Sequence, residues 1–173
     1  MRLLLATGLA LAACALVPSA GSAEPVPGGV VDPFRGIAGV QIGMREAVVR
    51  RVLGEPDFRN AQAVYGYGDL TIDFEQGRVW QIYSTGVRFC TPGGACVGQR
   101  GARAKLKREG VPTALFVDFT GGPFLHACRK VKGRAISFDA SVEFQRRDRI
   151  NQFFVRDSGT RCPTREELTE PPS

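Results

Sequence analysis

Apolar positions along the chain recur in two rhythms. From residue 44 they follow helical spacing: Met44, Ala47, Val48 and Val52, with Val49 and Leu53 one step round. Arg45, Arg50 and Arg51 take the opposite side, so the pattern predicts a helix over 44–53. Gly43 is a permissive N-cap, Glu46 sets a carboxylate in the first turn, and Gly54 ahead of Pro56 is the stop. The rhythm then changes to two. In DLTIDFEQGRVWQIYS (69–84), Leu70, Ile72 and Phe74 alternate with Thr71, Asp73 and Glu75, and Val79 resumes after Gln76-Gly77. A glycine in a two-residue turn between alternating runs is the mark of a β-hairpin. Upstream, AVYGYG (63–68) adds a strand.

The same order returns. A helix is expected over 99–109 on a thin stripe of Ala102 and Leu106, stopped by Gly110 and Pro112 as the first is by Gly54 and Pro56. Residues 113–119, 123–128 and 134–138 follow as strands. SVEFQRRDRINQFFV (141–155) restates the hairpin: Val142 and Phe144 match Ile72 and Phe74, and Arg149 to Phe153 match Arg78 to Ile82. The separation is about 60–70 residues, within the range of internal repeats. The expected class is therefore α+β, in two related halves (39–89 and 90–157). Each is a short helix packed on a small antiparallel sheet. Neither half has apolar surface enough to bury a sheet face alone; paired, they share one core.

IGMREAVVRRVLGEP and LTIDFEQGRVWQI together resemble the small envelope-protein superfamily that holds the SmpA/OmlA lipoprotein and the β-lactamase-inhibitor-protein fold. Gly43, Met44, Val49, Leu53, Gly54, Pro56, Phe74, Gly77, Arg78 and Val79 stand at matching places. Arg45 departs from the Ser or Thr usual after Gly-Met, so the side-chain N-cap is missing. The likeness covers about 50 residues well and the second half loosely, in motifs that are mainly structural. It implies a fold and a style of use. Inhibitor-type members are tandem duplicates that lay a concave sheet against a partner protein, and the SmpA/OmlA type is a single copy within an outer-membrane assembly complex.

With a two-residue turn at Gln76-Gly77 and unbroken alternation, Glu75 faces Arg78, Phe74 faces Val79, Asp73 faces Trp80 and Thr71 faces Ile82. One face is then core: Leu70, Ile72, Phe74, Val79 and Tyr83, with Gln81 and Gln152 on the same side. The other carries Thr71, Asp73, Glu75, Arg78, Trp80 and Ile82, joined by Ser141, Glu143, Arg149, Asn151 and Phe153. Aromatic side chains among paired charges resemble a protein-contact surface. The candidate binding set is Asp73, Glu75, Arg78, Trp80, Ile82, Glu143, Arg149 and Phe153. A solvated face with Trp80 tucked against a neighbouring strand is the competing reading.

Residues 1–23 read as a secretory signal peptide: Arg2, an apolar run, then Pro18 and small residues before Glu24. Leu11-Ala12-Ala13-Cys14 also fits a lipobox, with Cys14 as the lipidated alternative, although the residues after it stay apolar. Either route exports the chain. Residues 24–38 are rich in Pro and Gly and read as an extended leader.

The remaining Cys90, Cys96, Cys128 and Cys162 read as two disulfides. TPGGA folds Cys90 back on Cys96, leaving Cys128 to tie the tail (158–173) through Cys162. A four-thiolate zinc site lacks any C-x-x-C pair, and no metal or cofactor is expected. The formal charge is +6, or +5 once Arg2 is subtracted. Arg100, Arg103, Lys105, Lys107 and Arg108, with the run 129–134, offer contact to an anionic membrane or wall polymer, or a solvated helix face. Export argues against nucleic acid. His126 is the sole histidine, and a pairing with Asp118 or Cys128 is the enzymatic alternative. No nucleophile elbow, zincin motif or phosphate loop occurs. The sequence therefore points to an exported, non-enzymatic binding protein, with inhibition of a secreted hydrolase as one form of it.

Overall fold

A computed structural model describes residues 29–118, 120–143 and 149–169. Residues 1–23, expected to be a signal peptide, with Cys14 among them, and Phe144 lie outside them. Three two-residue strands come first: β1 (Val31–Asp32), β2 (Gly36–Ile37) and β3 (Val40–Gln41), which form a small antiparallel sheet. Part of the expected leader is thus core. Val31 and Ile37 are fully buried and Phe34 nearly so, because their apolar side chains outweigh the Pro and Gly around them.

Helix α1 (Glu46–Leu53) follows, then β4 (Phe58–Arg59), β5 (Val64–Tyr67), β6 (Leu70–Glu75) and β7 (Arg78–Ser84). After an irregular stretch come α2 (Ala102–Arg108), β8 (Ala114–Val117), β9 (Pro123–Val131), β10 (Arg134–Glu143) and β11 (Arg149–Asp157), and last α3 (Arg165–Thr169). The protein is strand-rich and antiparallel with few helices. β4 to β11 form one eight-stranded sheet in the order β4-β5-β6-β7-β11-β10-β9-β8. α1 and α2 therefore each lead into a four-strand meander, and the last strands of the two meanders pair at the centre.

The core lies on one side of this sheet. Tyr65, Tyr67, Leu70, Ile72, Phe74, Val79, Ile82, Phe138, Val142, Ile150, Phe153 and Val155 point into a single cluster with Val49 of α1, Ala102 and Leu106 of α2, and Phe89 and Val97 between them. Arg45 caps α1 without a side-chain hydrogen bond. Backbone bonds to β7 hold the helix entrance instead: Gly43 N donates to Val79 O at 2.7 Å, and Val79 N to Met44 O at 2.8 Å. The turn between β6 and β7 has Gln76 and Gly77 both at positive φ (50° and 72°), the geometry two-residue hairpins favour and glycine supplies without strain.

Two bulges set which residues face the core. Phe74 stands opposite Val79, but Asp73 stands opposite Gln81, so Trp80 is one residue too many. In the second hairpin Val142 faces Ile150 and Ser141 faces Gln152, so Asn151 is the extra residue. Each bulge advances the strand by one position and reverses the faces beyond it. Thr71 therefore faces Tyr83 rather than Ile82. Ile82 and Phe153 are fully buried core side chains, correcting their assignment to the binding face. Tyr83, Gln81 and Gln152 move to the outer face. Val142 takes the place beside its bulge that Phe74 takes in the first hairpin, not the place of Ile72.

Candidate functional site

The outer face of the sheet is built from residues that the bulges leave pointing away from the core. Val79 and Ile82 both face inward with two residues between them, so Trp80 and Gln81 both face outward. Trp80 is half-buried and does not pack against the core cluster. Where β7 meets β11, Tyr83 stands opposite Phe154 and the rings lie 5.6 Å apart, tilted by 32°. Both are half-buried. At one edge Phe58 is 53% exposed, its ring lying over Gly66. A Cβ on Gly66 would meet that ring at 1.9 Å, so glycine here makes room for an aromatic on the outer face. Toward the other edge Phe116 and Phe124 stack at 5.7 Å.

Polar groups run between these rings. Gln81 Nε2 donates to Asp73 Oδ2 at 3.1 Å, while Asp73 Oδ1 is buried without a hydrogen-bond partner. Burial pushes the Asp73 carboxyl above its ordinary range, against the lowering effect of Gln81. Ionising Asp73 therefore costs more in the folded than in the unfolded chain, and that cost appears as pH rises through the ordinary aspartate range. Asp73→Asn is expected to raise the urea midpoint at pH 7 and leave it unchanged near pH 3, where both forms are neutral. A drop at pH 7 would mean that the carboxylate is satisfied.

Farther along, Asp139 binds two partners: His126 Nδ1 at 2.5 Å and the Arg156 guanidinium at 3.3 Å. His126 and Asp139 are both buried, and Phe116 meets the imidazole edge-on at 5.9 Å. The histidine thus pairs with Asp139, which the sequence reading did not single out, rather than with Asp118 or Cys128. Asp118 instead accepts from Thr120 and Gly122 in the β8–β9 turn. Cys128 is bridged to Cys162, and Cys90 to Cys96. These bonds remove Cys128 as a nucleophile and consume all four thiols of the zinc alternative. Ser137, on the same face as His126, has its hydroxyl 2.6 Å from that of Ser158.

Of the sequence-selected binding residues, Asp73, Glu75, Arg78, Trp80, Glu143 and Arg149 stand on the outer face, and Ile82 and Phe153 do not. Glu75 and Arg78 face one another across the turn, and Arg78 also donates to Gly43 O at 3.0 Å. Sequence reasoning missed Tyr83, Phe154 and Phe58. A signal was present: Val79-x-x-Ile82 and Ile150-x-x-Phe153 break the alternation by the same single residue in both hairpins. In the basic segment Lys105 turns inward to Gly94 O and Gln99, leaving Arg100, Arg103, Lys107 and Arg108 exposed.

Two disulfides mark an oxidising, extracytoplasmic setting. Among the described residues no helix is long and apolar enough to cross a membrane. Set against protein-family models, curated proteins and solved structures, the chain matches none.

Proposed function

We propose that this chain is an exported binding protein that holds another protein against the outer face of its sheet. One observation carries the reading: Trp80, Tyr83 and Phe154 gather on the two central strands, half-buried and pointing away from the core. Aromatic side chains already partly fixed by neighbours lose little freedom on docking and bury large apolar area, which is why they dominate protein contacts. Glu75, Arg149 and Arg156 around them supply charge for orientation.

The architecture supports a tandem-duplicate origin, and with it the resemblance to the inhibitor-type envelope proteins. The sequence match of Arg78–Ile82 with Arg149–Phe153 sets Trp80 on Asn151, and those are the two bulged residues. It also sets Tyr83 on Phe154, and those two pair at the centre of the sheet. A twofold relation between halves requires equivalent residues to meet there. Inhibition of a secreted hydrolase is one form such binding takes.

The test is capture from the envelope and medium of the cell that makes the protein, followed by affinity measurement on the partner recovered. Trp80→Ala combined with Tyr83→Ala is expected to weaken binding by about 30-fold or more, as loss of a contact hot spot does. Circular dichroism should remain that of the parent, while the melting temperature falls modestly through loss of the Tyr83–Phe154 contact, so binding is compared well below both transitions. Because Trp80 is the sole tryptophan, its emission should also shift on binding. A partner held equally by parent and double variant would overturn the reading.

A further inference from the structure

Strand β8 is an outer edge of the large sheet, and among the described residues no strand pairs with its free side. Ala114 faces His126 and Phe116 faces Phe124, while Asp118 N donates to Gly122 O at 3.0 Å. In an antiparallel pair, hydrogen-bonded positions alternate. Residues 114, 116 and 118 therefore spend their backbone groups on β9, and those of Leu115 and Val117 point outward. Pro123 agrees with this register, since it stands opposite Val117, where β9 needs no donor. Leu115 and Val117 are also 37% and 46% exposed with α3 in place against the strand. Natural edges are shielded by shortness, charge, proline, a bulge or a covering helix; β8 is short and touches α3, but Ala114-Leu115-Phe116-Val117 carries no charge, proline or bulge of its own.

A cleft of about 740 Å³ opens at the start of the same strand. Its apolar walls are Ala104, Val111, Pro112 and Ala114, and its cations are Arg103 and Lys107. These two stand four residues apart on α2, on one side of the helix. Neither forms an ion pair with a described residue.

We infer that the β8 edge and this cleft form a binding site, separate from the aromatic face, for the carboxyl-terminal end of an extended peptide. A strand added antiparallel to β8 runs its C-terminus past Ala114 toward the cleft. The backbone of Leu115 and Val117 supplies donors and acceptors, and the free α-carboxylate meets Arg103 and Lys107. Parallel addition would bring an amino terminus toward the same two cations, so charge selects the direction. Leu115 and Val117 favour apolar side chains at alternate positions of the peptide, those on their side of the extended sheet.

The test uses an immobilised library of heptapeptides with free C-termini and the same library amidated, probed with the full chain. Free-acid peptides with apolar residues at alternate positions are expected to bind, with amidation costing at least tenfold. Arg103→Glu with Lys107→Glu, both on an exposed helix face, should abolish the acid preference. Val117→Pro removes a donor that β9 does not use, and should weaken all peptides tenfold while leaving the circular dichroism unchanged. Trp80→Ala should have no effect, which separates this site from the one proposed above. Equal binding of acid and amide, or no peptide bound at 1 mM, overturns the inference. So does a concentration-dependent dimer in sedimentation that Val117→Pro dissolves, since the edge would then belong to a second copy of the chain.

Discussion

Phe153→Ala is expected to destabilise the protein by about 3–5 kcal/mol, the usual loss for a buried phenylalanine. Phe154→Ala, one residue on, is expected to cost less than half as much. The contrast comes from the bulge at Asn151. Phe153 is fully buried, lies 5.6 Å from the Phe138 ring in a stacked pair, and stands opposite Ser84 across the central joint. Removing it opens a cavity where the two meanders meet, and the strands on either side are hydrogen-bonded and cannot collapse into it. Phe154 faces outward against Tyr83 and keeps part of its surface in water, so its loss forfeits less burial. Guanidinium unfolding of both variants at one pH checks the pair, with unchanged slopes showing that the denatured state has not moved. If Phe154→Ala were the more damaging, the register would be wrong and Phe153 would return to the binding face.

That single-residue shift also marks where the sequence could be read and where it could not. The helix around Val49 and the hairpin at Gln76-Gly77 were legible, because period 3.6 and period 2 are local signals with local stops. The two cysteine pairs were legible from the fold-back at TPGGA and by elimination. The bulges were not, since alternation read outward from the turn carries its phase past the extra residue and then mislabels every side chain beyond it. This is why Ile82 and Phe153 were assigned outward and Tyr83 inward. Residues 31–38 were misread for a different reason. Pro33 and Gly36 mark turns, but Val31, Phe34 and Ile37 between them are what the core holds. α3 was missed although Thr164-x-x-Glu167 announces it. Thr164 N donates to Glu167 Oε2 at 2.8 Å and Glu167 N to Thr164 Oγ1 at 3.3 Å, a reciprocal cap. The His126–Asp139 pair joins neighbouring strands 13 residues apart in sequence, and only their register reveals it.

Removing the Cys128–Cys162 bridge, by Cys128→Ala with Cys162→Ala, is expected to cost about 4 kcal/mol on loop-closure arithmetic, against about 2 kcal/mol for the Cys90–Cys96 bridge. The difference follows from separations of 34 and 6 residues, since a longer closed loop withholds more conformations from the unfolded chain. The longer bridge also acts locally. Cys128 sits on the outer face of β9 beside His126, and its partner brings the chain back so that α3 can rest on β8. α3 is five residues long and buries one side chain, Leu168. A helix so short does not persist without an anchor, even with its reciprocal cap and the Arg161–Glu167 ion pair that holds the Glu167 carboxyl down at about 2. Hydrogen exchange on the bridge-less variant should therefore show the amides of α3 unprotected while those of β10 and β11 stay protected. A global loss near 4 kcal/mol with α3 still protected would assign the tail a contact stronger than the bridge. A loss below about 1 kcal/mol would mean that the reduced, unfolded chain already holds these two cysteines close together.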